Sequence, residues 1–314
     1  TGKSFVLRNC PAKSVFASYL IRVRPDKTMV DPIYLSYYFR TQDYWDQITG
    51  AANGSTQPGV NASNLKQLKI PLLPLSEQKR ITAILDKADA VRRKRQETIR
   101  LLDEFLRSVF LEMFGDPVRN EKGWEKSKIG ELTKVETGST PSRDIKEYYD
   151  NGNIPWVKTS EVQNNYIVKC EEYITEQALK ETNCKVLPED TILIAMYGQG
   201  QTRGRVGYME IKGATNQACA AILPSELINS LFLYYQLRFR YMEIRNMGRG
   251  GNQPNLNLSM IKDFMILYPP ITLQEKFTQI AEKVTKQQAL FNKSLVKIEN
   301  SFNSLMQKAF RGEL

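Results

Sequence analysis

Two stretches of the chain, residues 76–114 and 272–310, carry apolar side chains at heptad spacing and contain neither proline nor glycine. In the first, Ile81, Ala88, Leu102 and Val109 fall in one row, with Ile84, Val91 and Phe105 in the next. In the second, Phe277, Val284, Phe291, Ile298 and Leu305 form a row flanked by Ala281, Leu295, Phe302 and Ala309. This period predicts two long α-helices, each extending roughly 58 Å at 1.5 Å per residue. One such helix has nothing to bury its stripe against, whereas two related ones have each other. An antiparallel coiled coil is therefore expected, with Leu102, Phe105, Val284 and Phe291 buried between or beside the helices. The competing reading is that each helix packs on its own domain as an ordinary amphipathic element.

An extended apolar run precedes each helix, at residues 70–73 and 265–268, and ends at Pro74 or Pro270, which cannot continue a ladder. Two residues on, Ser76 or Thr272 is placed to cap the helix, its side-chain oxygen satisfying an orphan amide. The likeness reaches further. At a fixed offset of 196, residues 57–90 match residues 253–286 without a gap, and 11 of 34 columns are identical. Among these are Gln57/Gln253, Pro58/Pro254, Asn61/Asn257, Pro74/Pro270 and Gln78/Gln274. Two copies are too few for a solenoid, so the chain carries a duplicated module.

The segment "GDPVRNEKGW", residues 115–124, stops the first helix with Gly, Pro and Asn. After it, β-like runs at residues 192–197 and 218–223 alternate with turns, and residues 228–245 read as helical. The order is domain, long helix, domain, long helix. Counted from Trp124, 148 residues precede the second helix, but only 75 precede the first. Phe16-Ala17-Ser18 falls opposite Gln217-Ala218-Cys219, so the first module is expected to lack a counterpart of residues 124–201, lost before Thr1.

With 41% hydrophobic and 25% charged residues, the chain can bury a core. Its apolar runs are too short to cross a bilayer, and no secretory leader is visible. The four cysteines show no CxxC spacing and read as buried or incidental thiols in a reducing cytoplasm. Histidine is absent, which removes the commonest general base and metal ligand and disfavours hydrolase triads and zinc sites. The formal charge of +10 fits either simple solubility or a polyanionic partner, and does not choose between them.

The alternation of mixed domain and long helix resembles the specificity subunit of a type I restriction–modification system. The wording agrees in "LPLSEQKRI" (73–81), "MFGDPVRNEKGWE" (113–125), "TGSTPSR" (137–143) and "IPWVKTSEV" (154–162). One departure is "TLQEKF" after Pro270 and Ile271; the short first module is another. The resemblance implies an α+β chain with two target-recognition domains, the first incomplete, joined by two antiparallel spacer helices in a pseudo-two-fold coiled coil. Residues 1–75 would be the later part of the first recognition domain, 76–114 the first spacer helix and 115–123 a linker. Residues 124–271 would be the second recognition domain and 272–314 the second spacer helix. It further implies a non-catalytic, cytoplasmic reader of a bipartite double-stranded DNA target. Two methyltransferase subunits, carrying S-adenosylmethionine, and restriction subunits would be its partners, with no cofactor in this chain and no membrane. The rival is a stand-alone two-module DNA-binding regulator.

"TGKS" at the start imitates the end of a phosphate-binding loop, but no strand or earlier glycine precedes it and no helix signal follows. "GQGQTRG", residues 198–204, misses the dinucleotide spacing, and no NPPY- or DPPY-like methyltransferase tetrapeptide occurs. The glycine-rich loops make better sense as DNA contacts, since Arg can bind guanine and Gln adenine in a bidentate way. Residues 197–205 present Tyr197, Gln199, Gln201, Arg203 and Arg205. Residues 248–255 offer Arg249, Asn252 and Gln253, and their repeat partner offers Ser55, Thr56 and Gln57. Thr140, Ser142 and Arg143 suit phosphate or groove contacts. The alternative is that all are solvated turns, and the run "RRKRQ" at 92–96 reads first as a solvated helix face.

Overall fold

The structure is a computed structural model and describes residues 2–7, 9, 14–51, 60–198, 200–248 and 255–314. The chain divides into two compact units, Thr1–Leu101 with Gln287–Leu314, and Leu102–Lys286. The first unit contains α1 (Pro32–Tyr38), α2 (Gln42–Ala51), α3 (Ala62–Lys66) and most of α4 (Leu75–Phe114). The second continues with β1 (Lys126–Lys128), α5 (Ile129–Leu132), β2 (Val135–Thr137), β3 (Ile154–Val157), β4 (Asn165–Ile167) and β5 (Tyr173–Ile174). Then come α6 (Glu176–Glu181), β6 (Ile192–Ala195), β7 (Val206–Met209), β8 (Ala214–Thr215) and β9 (Cys219–Ile222). Last are α7 (Ser230–Phe239), α8 (Tyr241–Asn246), α9 (Leu258–Lys262), β10 (Met265–Leu267) and the start of α10 (Ile271–Arg311), whose residues from Gln287 onward belong to the first unit.

The two long helices are α4 and α10, and they run antiparallel. In the first unit, Arg80 donates to the Leu314 carbonyl and Gln96 to Glu299, while the Arg92 and Arg95 guanidinium groups lie over the rings of Phe302 and Phe291. In the second unit, Phe110 and Phe114 meet Phe277 with ring centroids 5.4 and 5.9 Å apart. The "RRKRQ" run is therefore not only a solvated face: Arg92 and Arg95 cover apolar rings of α10.

The apolar rows need correction. Val284 is buried and Leu102 packs against the core, but Phe105 is 50% exposed and Phe291 half-buried beneath Arg95. On α4 the buried apolar positions are Ile81, which lies in the first expected row, and Leu85, Leu106, Phe110 and Phe114, which lie in neither expected row. Each end of the helix packs on globular elements, such as Phe110 stacked on Phe232 of α7, so a strict two-helix seam does not set its buried face.

The capping expectation also fails. Both helices begin one residue earlier than expected, at Leu75 and Ile271. The carbonyl of Pro74 accepts from the amides of Glu77 and Gln78, and that of Pro270 from Leu273 and Gln274. The first intrahelical bonds thus start at the prolines, and Ser76 and Thr272 sit inside the first turn. Gly115, at φ 76°, ends α4 in the left-handed region, its amide donating to the Leu111 carbonyl. Trp124 Nε1 takes the Phe114 carbonyl and Lys122 Nζ that of Met113, so the stop segment satisfies the helix end.

The duplication has a physical basis in two buried glutamines. Gln78 Oε1 accepts from the Asp31 amide at 2.9 Å, and Gln274 Oε1 from the Asn229 amide at 3.0 Å. Asp31 and Asn229 are themselves the N-caps of α1 and α7. Gln78 Nε2 donates to the Leu73 carbonyl and Gln274 Nε2 to that of Pro269. Each glutamine, 0% exposed, ties the start of the shorter helix to the entry of the long one. Asn61 and Asn257 likewise cap α3 and α9, accepting from Asn64 and Met260 at 2.9 Å. The copies differ just before the prolines. Residues 265–267 form β10, paired with β1, whereas the backbone of Lys69 is satisfied by Gln47 and Tyr38 and the Pro71 carbonyl by Tyr34.

In the second unit the main sheet has the order β2-β9-β6-β7-β4, antiparallel except for β4 beside β7. Both faces are covered. Ile192, Ile194, Val206, Tyr208, Ala220 and Ile222 join α7 in one core, while Leu193, Ala195, Met209, Cys219 and Ala221 join Val157, Val162 and Ile167 in another. This explains why these strands read as unbroken apolar runs. The helical signal at 228–245 resolves into α7 and α8, separated at Arg240. Among the described residues, no helix is long and apolar enough to cross a membrane.

Candidate nucleic-acid interface

Strand directions in the main sheet decide which loops meet. β2 ends at Thr137, opposite Ala220 near the start of β9; Ala195, the end of β6, faces Cys219, and Ile194 faces Val206, the start of β7. β4 starts at Asn165 beside Gly207. Segments 138–143, 163–164, 196–205 and 216–218 therefore emerge along one edge of the sheet. Hydrogen bonds join them. Thr140 Oγ1 donates to Gln217 Oε1, the amide of Met196 to the Ala218 carbonyl at 2.8 Å, and that of Val206 to Asn164 Oδ1 at 3.1 Å. The Leu256 amide donates to the Met196 carbonyl at 3.0 Å, placing the end of the 248–255 segment beside the same edge.

Of the residues expected to contact DNA, Thr140, Ser142, Arg143, Tyr197, Gln201, Arg203 and Arg205 lie along this edge. Thr140, Ser142, Arg143, Tyr197 and Gln201 are exposed, while Arg203 and Arg205 are half-buried. Gln199, Arg249, Asn252, Gln253, Ser55, Thr56 and Gln57 lie outside the described residues.

The arginines are not equivalent. Arg143 pairs with Glu172 at 2.6 Å and its guanidinium lies 4.3 Å over the Tyr149 ring and 5.2 Å from that of Trp156. Glu172 also takes Lys158 at 2.9 Å. Burial alone would push the Glu172 carboxyl up, but Lys158 and Arg143 more than offset this and hold it below the usual range. Arg143 and Lys158 are thus tied into the fold. Arg205 donates to Gln201 Oε1 at 3.0 Å, leaving a short polar ladder on the outer side of the 196–205 loop.

Several contributors were not evident from sequence. Gln217 is exposed beside Thr140, and Asn216 behind it is fixed by Thr159 Oγ1 at 2.8 Å. Tyr241 and Arg245 of α8 support the 196–205 loop through its carbonyls. Only the sheet order brings these residues together; no local motif marks them. Burial pushes the Cys219 and Cys170 thiols up, away from the reactive thiolate form.

The rim carries exposed amide, hydroxyl and guanidinium groups on a sheet that packs, within its unit, against the end of α4 and the start of α10, and such groups are the chemistry that hydrogen-bonds to DNA bases and phosphates. A family model described as "Type I restriction modification DNA specificity domain" matches residues 1–101 and 121–300, and the chain belongs to that family.

The chain is similar to the type I restriction enzyme MjaIX specificity subunit of Methanocaldococcus jannaschii, at 28% identity over 90% of this chain and 68% of that protein. It is also similar to the EcoR124I/EcoR124II specificity subunit of Escherichia coli, at 27% identity over 70% of this chain but only 56% of the relative. Its fold matches a chain from a structure on complex assembly and conformational transition of the type I R-M system, with TM-score 0.57 and 19% identity, covering 93% of this chain and 74% of that one. The S subunit from M. genitalium gives TM-score 0.56 at 18% identity, covering 91% and 74%. These relatives are specificity subunits, and they lend the stand-alone regulator no support.

Proposed function

We propose that the sheet edge carrying Thr140, Tyr197, Gln201, Arg203, Arg205 and Gln217 reads one half of a split DNA target. Residues 124–271 act as the second recognition domain and residues 1–75 as part of the first, with residues 76–114 and 272–314 as the helices that space them and 115–123 as the linker. The observation that carries this reading is the sheet order, which supports a single reading rim built from four loops distant in sequence. Gln201 and Gln217 suit the adenine edge, Arg203 and Arg205 suit guanine or phosphate, and Tyr197 suits van der Waals contact in a groove. Residues 52–59 and 249–254, which lie outside the described residues, belong to the same reading, with Ser55, Thr56, Gln57, Arg249, Asn252 and Gln253 as further contacts.

Two methyltransferase subunits, which supply S-adenosylmethionine chemistry, and restriction subunits are the partners of this reading. Two half-sites held by one scaffold give sharper recognition than either alone, because the second binds at high effective concentration. The test is selection of bound duplexes from a random pool, first with the full chain and then with its Arg203→Ala variant. A base-reading Arg203 predicts a loss of about 1–3 kcal/mol confined to one position of the enriched sequence. Equal weakening on every duplex reduces Arg203 to a phosphate contact, and a wild-type chain that enriches no sequence overturns the reading.

A further inference from the structure

A glycine-rich loop that reads bases needs something to hold it still. Residues 196–205 connect β6 and β7, and the support comes from α8. Arg245 Nη2 donates to the Gly200 carbonyl at 2.6 Å, and its Nη1 to the Arg203 carbonyl at 3.2 Å and to the Tyr241 hydroxyl at 3.3 Å. Tyr241 in turn donates to the Gln201 carbonyl at 2.8 Å. Residues four apart on a helix share a face, so one turn of α8 takes three carbonyls of the loop. The approach is close. Gly204 has φ 84°, and a Cβ there would stand 3.1 Å from the Arg245 amide nitrogen. Ile244, between the two supports, is fully buried in the main core, which makes α8 a rigid anchor. At the other foot of the loop, the Leu256 amide donates to the Met196 carbonyl.

We infer that Arg245, with Tyr241, is a positioning residue for sequence readout. This rests on the DNA-reading assignment made above for the sheet edge. Bidentate base recognition requires side chains held to within about 0.5 Å of the productive geometry by locked supporting groups. The loop carbonyls engage both Nη atoms of Arg245, so its fork serves the loop rather than a phosphate. Arg245 therefore raises the preference for the correct sequence without adding to the salt-dependent attraction for DNA.

The test uses the full chain, the duplex that the wild type enriches from a random pool, and a scrambled duplex, with affinities measured across a salt series. Arg245→Ala and Arg245→Lys should each lower the ratio of target to scrambled affinity about tenfold to a hundredfold, the range for hydrogen bonds to a charged group. The salt slope should not change. Lysine keeps the charge but has no planar fork to span two carbonyls, so it should not rescue. Tyr241→Phe, which removes one hydroxyl and leaves the packing, should lower the ratio by about threefold to tenfold. It keeps the test valid if an Arg245 variant fails to fold.

Two results would overturn the inference while leaving the DNA-reading function in place. One is full rescue by Arg245→Lys together with loss of about one unit of salt slope in Arg245→Ala, the signature of a phosphate contact. The other is an unchanged ratio in all three variants. A wild type that enriches no sequence removes the function, and this inference with it.

Discussion

Replacing Gln274 with leucine tests how the second unit is fastened to α10. The side chain is fully buried, accepts from the Asn229 amide at 3.0 Å and donates to the Pro269 carbonyl at 2.8 Å. Leucine fills similar volume but leaves both backbone groups without their partner. Each orphaned buried group costs about 1–3 kcal/mol, and the added apolar burial offsets part of this, so the loss should be about 2–4 kcal/mol. The effect belongs to the second unit, where Trp124 and Trp156 report unfolding once Trp45 is replaced by phenylalanine. Urea titration followed by tryptophan emission should show an earlier midpoint with an unchanged slope. A change below about 0.5 kcal/mol, the range of an ordinary surface substitution, would refute the reasoning.

Other expectations follow from the same geometry. Thr272→Ala should alter stability by less than about 0.5 kcal/mol, because the Pro270 carbonyl and not the threonine side chain starts α10; urea titration checks it. Asn257→Ala should cost about 1 kcal/mol by the same assay, since its side chain does cap α9. Arg143→Ala should destabilise the second unit by about 1 kcal/mol through the lost Glu172 pair and ring contact, both part-exposed. Its salt slope for DNA binding should fall by less than one unit, as measured by titration across a salt series.

The long helices were legible because their signal is local: a sustained heptad pattern and a proline at each entry. Which face they bury was less so, since α4 packs against α7 as well as α10, and Phe105 consequently turns outward. The identity of Gln78 and Gln274 was visible in the repeat. Their role was hidden, because the amides they receive belong to Asp31 and Asn229, 47 and 45 residues away. The misassigned caps have a similar origin. Ser76 and Thr272 have good capping chemistry, yet the backbone carbonyl two residues earlier already begins the helix. For the candidate DNA-contacting edge, composition pointed to suitable loops, but only the non-local order of five strands places Thr140 against Gln217. The support from Tyr241 and Arg245 had no sequence signal at all, since a tyrosine and an arginine four apart on a helix serve many purposes.

The central claim is that the edge loops of the second unit choose one half of a split DNA target. The most direct measurement is the methylation pattern, at single-base resolution, in cells expressing this chain with its methyltransferase partner. It should be compared with a chain whose residues 137–143 and 196–205 come from a relative of different specificity. The account predicts a bipartite methylated sequence in which the exchange changes one half and leaves the other half and the gap unaltered. An unchanged sequence after the exchange, or a continuous rather than split one, would contradict it.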